Sequence, residues 1–282
     1  MKKAGVLLST AVSMSILFSA SLVMAAQPTQ SAAAYTQQDL NEQDVMGLLW
    51  VQTSAEYREL CYQAYNAATM EVDKAVKNAK KGDKPLAIVL DCDETVLDNS
   101  ASQGGYINHN DAYSSKNWNK WMAAAKATAM PGATEYLQGV AAKGVEIFYV
   151  TNRDAKTGFE GTIKNLKELK FPYVDAKHVL LKTDDSNKQG RFDAVANKYN
   201  VVVYMGDNAG DLPIGTYHKS MKDRNNIVDQ YKDKFGTKFI VLPNPEYGDW
   251  ESSLDPNYWS LSAQEKSDLR KSLIKKWRAD QN

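Results

Sequence analysis

Cysteine and histidine are scarce, and neither sign of charge is in excess. The 282 residues hold two cysteines, three histidines, 34 basic and 34 acidic side chains. Cys61 and Cys92 permit one disulfide in an oxidising compartment. Cys92, however, lies between two aspartates expected to be buried, and both thiols read as small buried hydrophobes. The balanced charge offers no basic footprint for a nucleic acid polymer. No internal repeat is apparent, and no haem-type signature stands out. His109 reads as a surface or cap residue rather than a catalyst.

What is present begins with a targeting pattern. Lys2 and Lys3 precede a mostly apolar run, 6–24, and Ala25 and Ala26 offer a cleavage point. Residues 1–25 therefore read as a secretory signal peptide. A membrane anchor is the alternative; serines interrupting the run and small residues at its end disfavour it. The first cysteine is Cys61, so none stands at the cleavage point to carry a lipid. The expectation is an exported protein, periplasmic or extracellular, soluble and without a membrane anchor. Residues 26–36, rich in Ala, Gln, Ser and Thr, read as a disordered lead-in.

Residues 37–83 read as an N-terminal helical segment. Val45, Leu48, Leu49, Tyr57, Leu60, Cys61, Tyr65 and Ala68 recur near helical spacing until Gly82-Asp83-Lys84-Pro85 breaks the pattern. In 84–282, short apolar runs at 86–90, 145–150, 178–181, 201–205 and 238–242 predict strands. Amphipathic stretches at 132–143, 156–169 and 188–199 predict helices, with Pro131 in a first turn and Gly144 just past an end. Ser262 and Glu265 form a capping-box pattern for a last helix running to about Arg278. This alternation predicts an α/β fold, a Rossmann-like parallel sheet with helices on both faces. Residues 99–130 are too long for a plain connection. They hold Tyr106, His109, Tyr113, Trp118 and Trp121, and read as a small cap insertion over the carboxyl edge of the sheet, where such folds bind ligands.

The chemistry gathers at strand ends. Asp91 and Asp93 follow the run 86–90; Asp207 and Asp211 follow 201–205. In a parallel sheet these ends share one edge, so four carboxylates converge and need a cation. An oxygen-only set favours Mg²⁺ over zinc or copper. Thr151, Asn152 and Arg153 end a third strand, with a hydroxyl and N–H groups suited to phosphate oxygens. Lys188 opens a helix where ammonium and dipole are both positive.

In that order the motifs resemble the haloacid dehalogenase-like phosphotransferases: Asp91-x-Asp93-x-Thr95, then Thr151, Lys188, and the acidic pair Asp207 and Asp211. The likeness narrows to the bacterial class C acid phosphatases, the branch containing the outer-membrane lipoprotein e. It rests on the runs 54–58, 63–66, 90–100, 149–153, 186–188 and 247–251, and spans roughly 40–280. The lipid-bearing cysteine of the lipoproteins is absent, so membrane anchoring does not carry over.

The resemblance implies a haloacid dehalogenase-like core and two-step hydrolysis of a small phosphomonoester, with Mg²⁺ as cofactor. Asp91 becomes the nucleophile. Asp93 becomes the acid and base, and gives the metal its main-chain carbonyl. Asp91, Asp207 and Asp211 complete the metal set, while Thr151 and Lys188 stabilise the transferring group. Asn152 and Arg153 help bind substrate, although Arg153 has the alternative of pairing with a surface acid. Trp118 and Tyr247 match positions that sandwich a nucleobase or aryl ring; packing in the core is the alternative for both. The substrates implied are 5′-nucleotides and aryl phosphates. Sugar phosphates form a second reading, and non-enzymatic binding of haem or another ligand a third. Members of the branch often form homodimers.

Overall fold

In the computed structural model, Met1 and residues 34–279 are described. The signal peptide at 2–25 and the lead-in up to 33 lie outside them. From Tyr35 onward the chain forms one compact unit.

Helices α1 (Gln37–Asn41), α2 (Val45–Thr53) and α3 (Ala55–Asn78) come first. Thr36 caps α1 in a reciprocal capping box with Asp39. Ser54 adopts an extended backbone, and its side chain accepts from the Tyr57 N–H, so α2 and α3 are separate helices. That break resets the helical phase assumed for one continuous pattern. Leu49 and Leu60 are exposed, while Leu48, Tyr57, Cys61, Tyr65 and Ala68 are buried.

The remaining elements follow in order. They are β1 (Leu86–Leu90), β2 (Leu97–Asp98), α4 (Ser100–Gly104), α5 (Ser115–Ala124), β3 (Thr128–Ala129), α6 (Ala133–Ala142), β4 (Glu146–Asp154), α7 (Ala155–Glu168) and β5 (Val179–Lys182). Then come α8 (Gln189–Ala196), β6 (Asn200–Gly206), α9 (Met221–Gln230), β7 (Phe239–Val241), α10 (Asp249–Ser252) and α11 (Ala263–Leu273). Among the described residues, five strands form one sheet in the order β5-β4-β1-β6-β7, and every pairing in it is parallel. The α/β expectation holds.

Successive side chains of a strand face opposite ways, and β1 shows what that does here. Ile88 and Leu90 pack with Cys61 and Ala68 of α3, Leu137 and Val140 of α6 and Leu166 of α7. Ala87 and Val89 pack with Phe192 and Val195 of α8, on the other face. The sheet is thus buried on both sides, which is why its strands read as plain apolar runs. Cys61 and Cys92 are free and buried.

Three boundaries differ from the sequence reading. Pro131 precedes α6 instead of sitting in its first turn; Gly132, with φ 88°, is the N-cap. The last helix ends at Leu273, before the predicted Arg278. β4 runs on to Asp154, past the run predicted to end at 150, and the register slips between Val150 and Asp154.

The segment 99–130 is anchored twice. β2 and β3 pair antiparallel at its base, and α5 lies across α7 at Gly161, where a Cβ would overlap the Met122 carbonyl. Asn41 of α1 adds a tie by donating to the carbonyls of Tyr106, His109 and Asp111 at 3.1, 3.0 and 3.0 Å. Gly161→Ala is expected to force α5 outward and to destabilise the fold by about 1–3 kcal/mol, the usual range for overpacking. Urea unfolding checks this, and an unchanged midpoint contradicts the backbone contact.

Candidate active site

β1 and β6 are neighbours at the point where the strand order reverses, the place where open α/β sheets bind ligands. Leu90 pairs with Met205, and the Asp91 N–H donates to the Met205 carbonyl at 3.0 Å. The residues that follow the two strands therefore emerge side by side. Carboxylate oxygens of Asp91, Asp207 and Asp211 lie within 4.8 Å of one another. Gly206 makes this possible, since a Cβ there would overlap the Asp211 side chain. The Asn208 N–H also donates to Asp211 Oδ2 at 2.9 Å.

Lys188, at the N-cap of α8, is buried and reaches into this group. Its Nζ lies 2.5 Å from Asp91 Oδ1 and 2.7 Å from Asp211 Oδ1. Asp207 accepts from the Thr95 hydroxyl at 3.1 Å and from Asn244 Nδ2 at 2.8 Å. One ammonium does not balance three carboxylates. Burial pushes Asp91 up to about 7, with Lys188 opposing and Asp211 and Asp93 adding to the rise. Burial, then Asp211 and Asp91, hold Asp207 well above the carboxylate range. Burial works against a charged Lys188, yet Asp211 and Asp91 raise it above an ordinary lysine. Three crowded oxygen donors with too little positive charge fit a hard divalent cation.

Asp93 does not join the cluster with its side chain. Arg153, 2% exposed, grips it instead: Nη2 donates to Oδ1 at 2.7 Å, and Nε lies 3.0 and 3.1 Å from Oδ1 and Oδ2. Arg153 was expected at the substrate, or else on a surface acid; the acid it pairs with lies in the site. Strand alternation explains the choice, since Thr151 and Arg153 turn inward and Asn152 outward. The Thr151 hydroxyl accepts from the Arg153 N–H at 3.1 Å. Asn152 is held by Arg191, whose Nη2 donates to its Oδ1 at 2.6 Å and whose Nη1 donates to the Thr151 carbonyl at 2.6 Å.

A cavity of about 590 Å³ opens over these groups and reaches Asp91, Asp93, Asn152, Lys188, Asp207 and Asp211. Trp118 of α5 and Tyr247 both line it and are half-buried, so neither is simply core. Tyr106 and Tyr113 line it too; Trp121 instead donates from its indole to Asn99 Oδ1 at 2.8 Å. His109 is exposed. Sequence reasoning assigned no role to Glu94, Asn99, Arg191 or Asn244. Arg191 and Asn244 meet partners 39 and 37 positions away, and Glu94 meets Tyr247 153 positions on, beyond what local pattern can signal.

Glu246 also lines the cavity, and both its carboxylate oxygens are buried without a hydrogen-bond partner. Burial, with Asp98 and Asp44 adding, pushes it up to about 8, against 4.5 for a free glutamate. Between those values the folded chain keeps a proton that the unfolded chain has released. The stability tied to this group is complete below pH 4.5 and is lost as pH rises towards 8. Glu246→Gln is expected to raise Tm at pH 8 and leave it unchanged at pH 4.5. Equal shifts at both pH values contradict a neutral Glu246.

The chain is similar to known proteins. Residues 4–250 match the family described as HAD superfamily, subfamily IIIB (Acid phosphatase). The class C acid phosphatase from Bacillus anthracis is 38% identical, with a TM-score of 0.80 over 85% of this chain and 99% of its own. The same values hold for its crystal structure with tungstate bound. Fold, site and likeness agree: the chain belongs to HAD subfamily IIIB and is an acid phosphatase.

Proposed function

We propose that the protein is an exported, Mg²⁺-dependent acid phosphatase that hydrolyses 5′-nucleotides and aryl phosphates through an aspartyl-phosphate on Asp91. The observation that carries this reading is the cavity in which the carboxylates of Asp91 and Asp93 face the same space as Trp118 and Tyr247. Export rests on the pattern at 1–25.

Asp91 attacks phosphorus, and its bond to phosphorus forms as the bond to the leaving oxygen breaks. Asp93 hands that oxygen a proton and later takes one from the hydrolytic water. Lys188 holds Asp91 in place and, with Thr151, meets the charge on the transferring phosphoryl group. The side chains of Asp91, Asp207 and Asp211, with the Asp93 main-chain carbonyl, would hold Mg²⁺, which supplies positive charge opposite the phosphoryl oxygens. The Asp93 carboxyl stays free of that set for proton transfer. Oxygen-only donors favour Mg²⁺ over softer metals. Trp118 and Tyr247 hold the ring of the leaving group by stacking, which tolerates many rings.

Two measurements test this. Chelation is expected to abolish phosphate release from a nucleoside 5′-monophosphate, and Mg²⁺ to restore it; turnover that survives chelation contradicts the metal. Trp118→Ala is expected to remove about 1–3 kcal/mol of stacking, roughly 5- to 150-fold in kcat/KM, from nucleotides and aryl phosphates. A sugar phosphate is expected to be little affected. Equal losses on all three point to a sugar-phosphate enzyme instead.

A further inference from the structure

Asn99 is fully buried and stands at the centre of a polar network that touches every part of the site concerned with the leaving group. Its Nδ2 donates to Asp93 Oδ1 at 2.9 Å and to Glu94 Oε2 at 3.2 Å. Its Oδ1 accepts from Trp121 Nε1 at 2.8 Å and from Arg153 Nη2 at 3.3 Å. The Glu94 carboxylate in turn accepts from the Asn99 N–H at 2.7 Å and from the Tyr247 hydroxyl. The Arg153 guanidinium lies 5.5 Å from the centre of the Trp118 ring, within cation–π range. Both aromatic walls are therefore joined to the Asp93 carboxyl, Tyr247 through Glu94 and Asn99, and Trp118 through Arg153.

The bonding at Asp93 is lopsided. Oδ1 accepts from Arg153 Nη2, Arg153 Nε and Asn99 Nδ2. Among the described residues, Oδ2 accepts only from Arg153 Nε, at 3.1 Å and shared with Oδ1. An oxygen with three donors has no lone pair to spare for a proton. The arginine itself is committed elsewhere, with Nη1 donating to Thr162 Oγ1 at 3.2 Å.

We propose that Arg153 and Asn99 are positioning residues that fix Asp93 so that Oδ2 alone exchanges the proton with the leaving oxygen, in register with a ring held by Trp118 and Tyr247. This rests on Asp93 being the acid of the reaction. In the first half-reaction the Asp91–phosphorus bond forms, and the phosphorus–leaving-oxygen bond breaks with its electron pair on oxygen. The proton on Asp93 Oδ2 moves to that oxygen. In the second, a water oxygen bonds to phosphorus, its proton returns to Oδ2, and the Asp91–phosphorus bond breaks.

A leaving alkoxide such as a ribose 5′-oxygen needs that proton, whereas a dinitrophenolate departs without it. The test is kcat/KM, which reports the first half-reaction, for R153Q, R153K, N99A and D93N. The two substrates are a nucleoside 5′-monophosphate and 2,4-dinitrophenyl phosphate, and circular dichroism checks folding. R153Q and N99A are expected to lose on the order of 10²-fold on the nucleotide, the scale of a misplaced catalytic group, and less than about threefold on the dinitrophenyl ester. R153K, which keeps the charge but not the fork, is expected to lose less with the same selectivity. If D93N is selective and the Arg153 and Asn99 variants lose equally on both substrates, the positioning role is overturned. If D93N itself loses equally on both, the acid assignment falls, and the proposal falls with it.

Discussion

One ammonium stands between two buried carboxylates: Lys188 Nζ touches both Asp91 and Asp211. Much of the site follows from how little charge that single group supplies. Asp207 completes a group of three acids around it, and burial lifts Asp91 and Asp207 out of the usual carboxylate range. Such a cluster is costly unless a cation or a proton joins it. A divalent cation at this cluster would supply the positive charge that Lys188 alone does not. Lys188 meanwhile holds Asp91 in place.

The fold makes the deficit unavoidable. A parallel sheet with β1 beside β6 delivers Asp91 and Asp207 to the same spot, and Gly206 lets Asp211 close in. The second carboxylate of the opening motif, two residues on, is drawn the other way by Arg153. One short stretch thus yields two acids in opposite electrostatic settings, one beside a carboxylate cluster and one beside a guanidinium.

The sheet was legible because its strands are buried on both faces and stand out as short apolar runs between helical patterns. The acids at their ends were legible for the same reason, since a parallel sheet sends every carboxyl end to one edge. Other features depend on partners remote in sequence. Arg153 was read toward phosphate, and its pairing with Asp93, 60 positions away, shows only once β4 turns its side chain inward. Asn99 sat inside a recognisable run without any local mark of its central place. The break at Ser54, which ends one helix and starts another, is a capping event that periodicity alone does not register. The two-residue strands β2 and β3 at the base of the cap are too short to show an alternation at all.

The central claim is that Asp91 takes the phosphoryl group while its neighbouring acids take the metal. A crystal structure with Mg²⁺ and beryllium trifluoride, which mimics a carboxyl-bound phosphoryl group, tests it most directly. The account predicts beryllium on an Asp91 oxygen, Mg²⁺ ligated by Asp91 and Asp207, and Asp93 still held by Arg153. Beryllium on Asp93, or a metal bound away from Asp91 and Asp207, would contradict it.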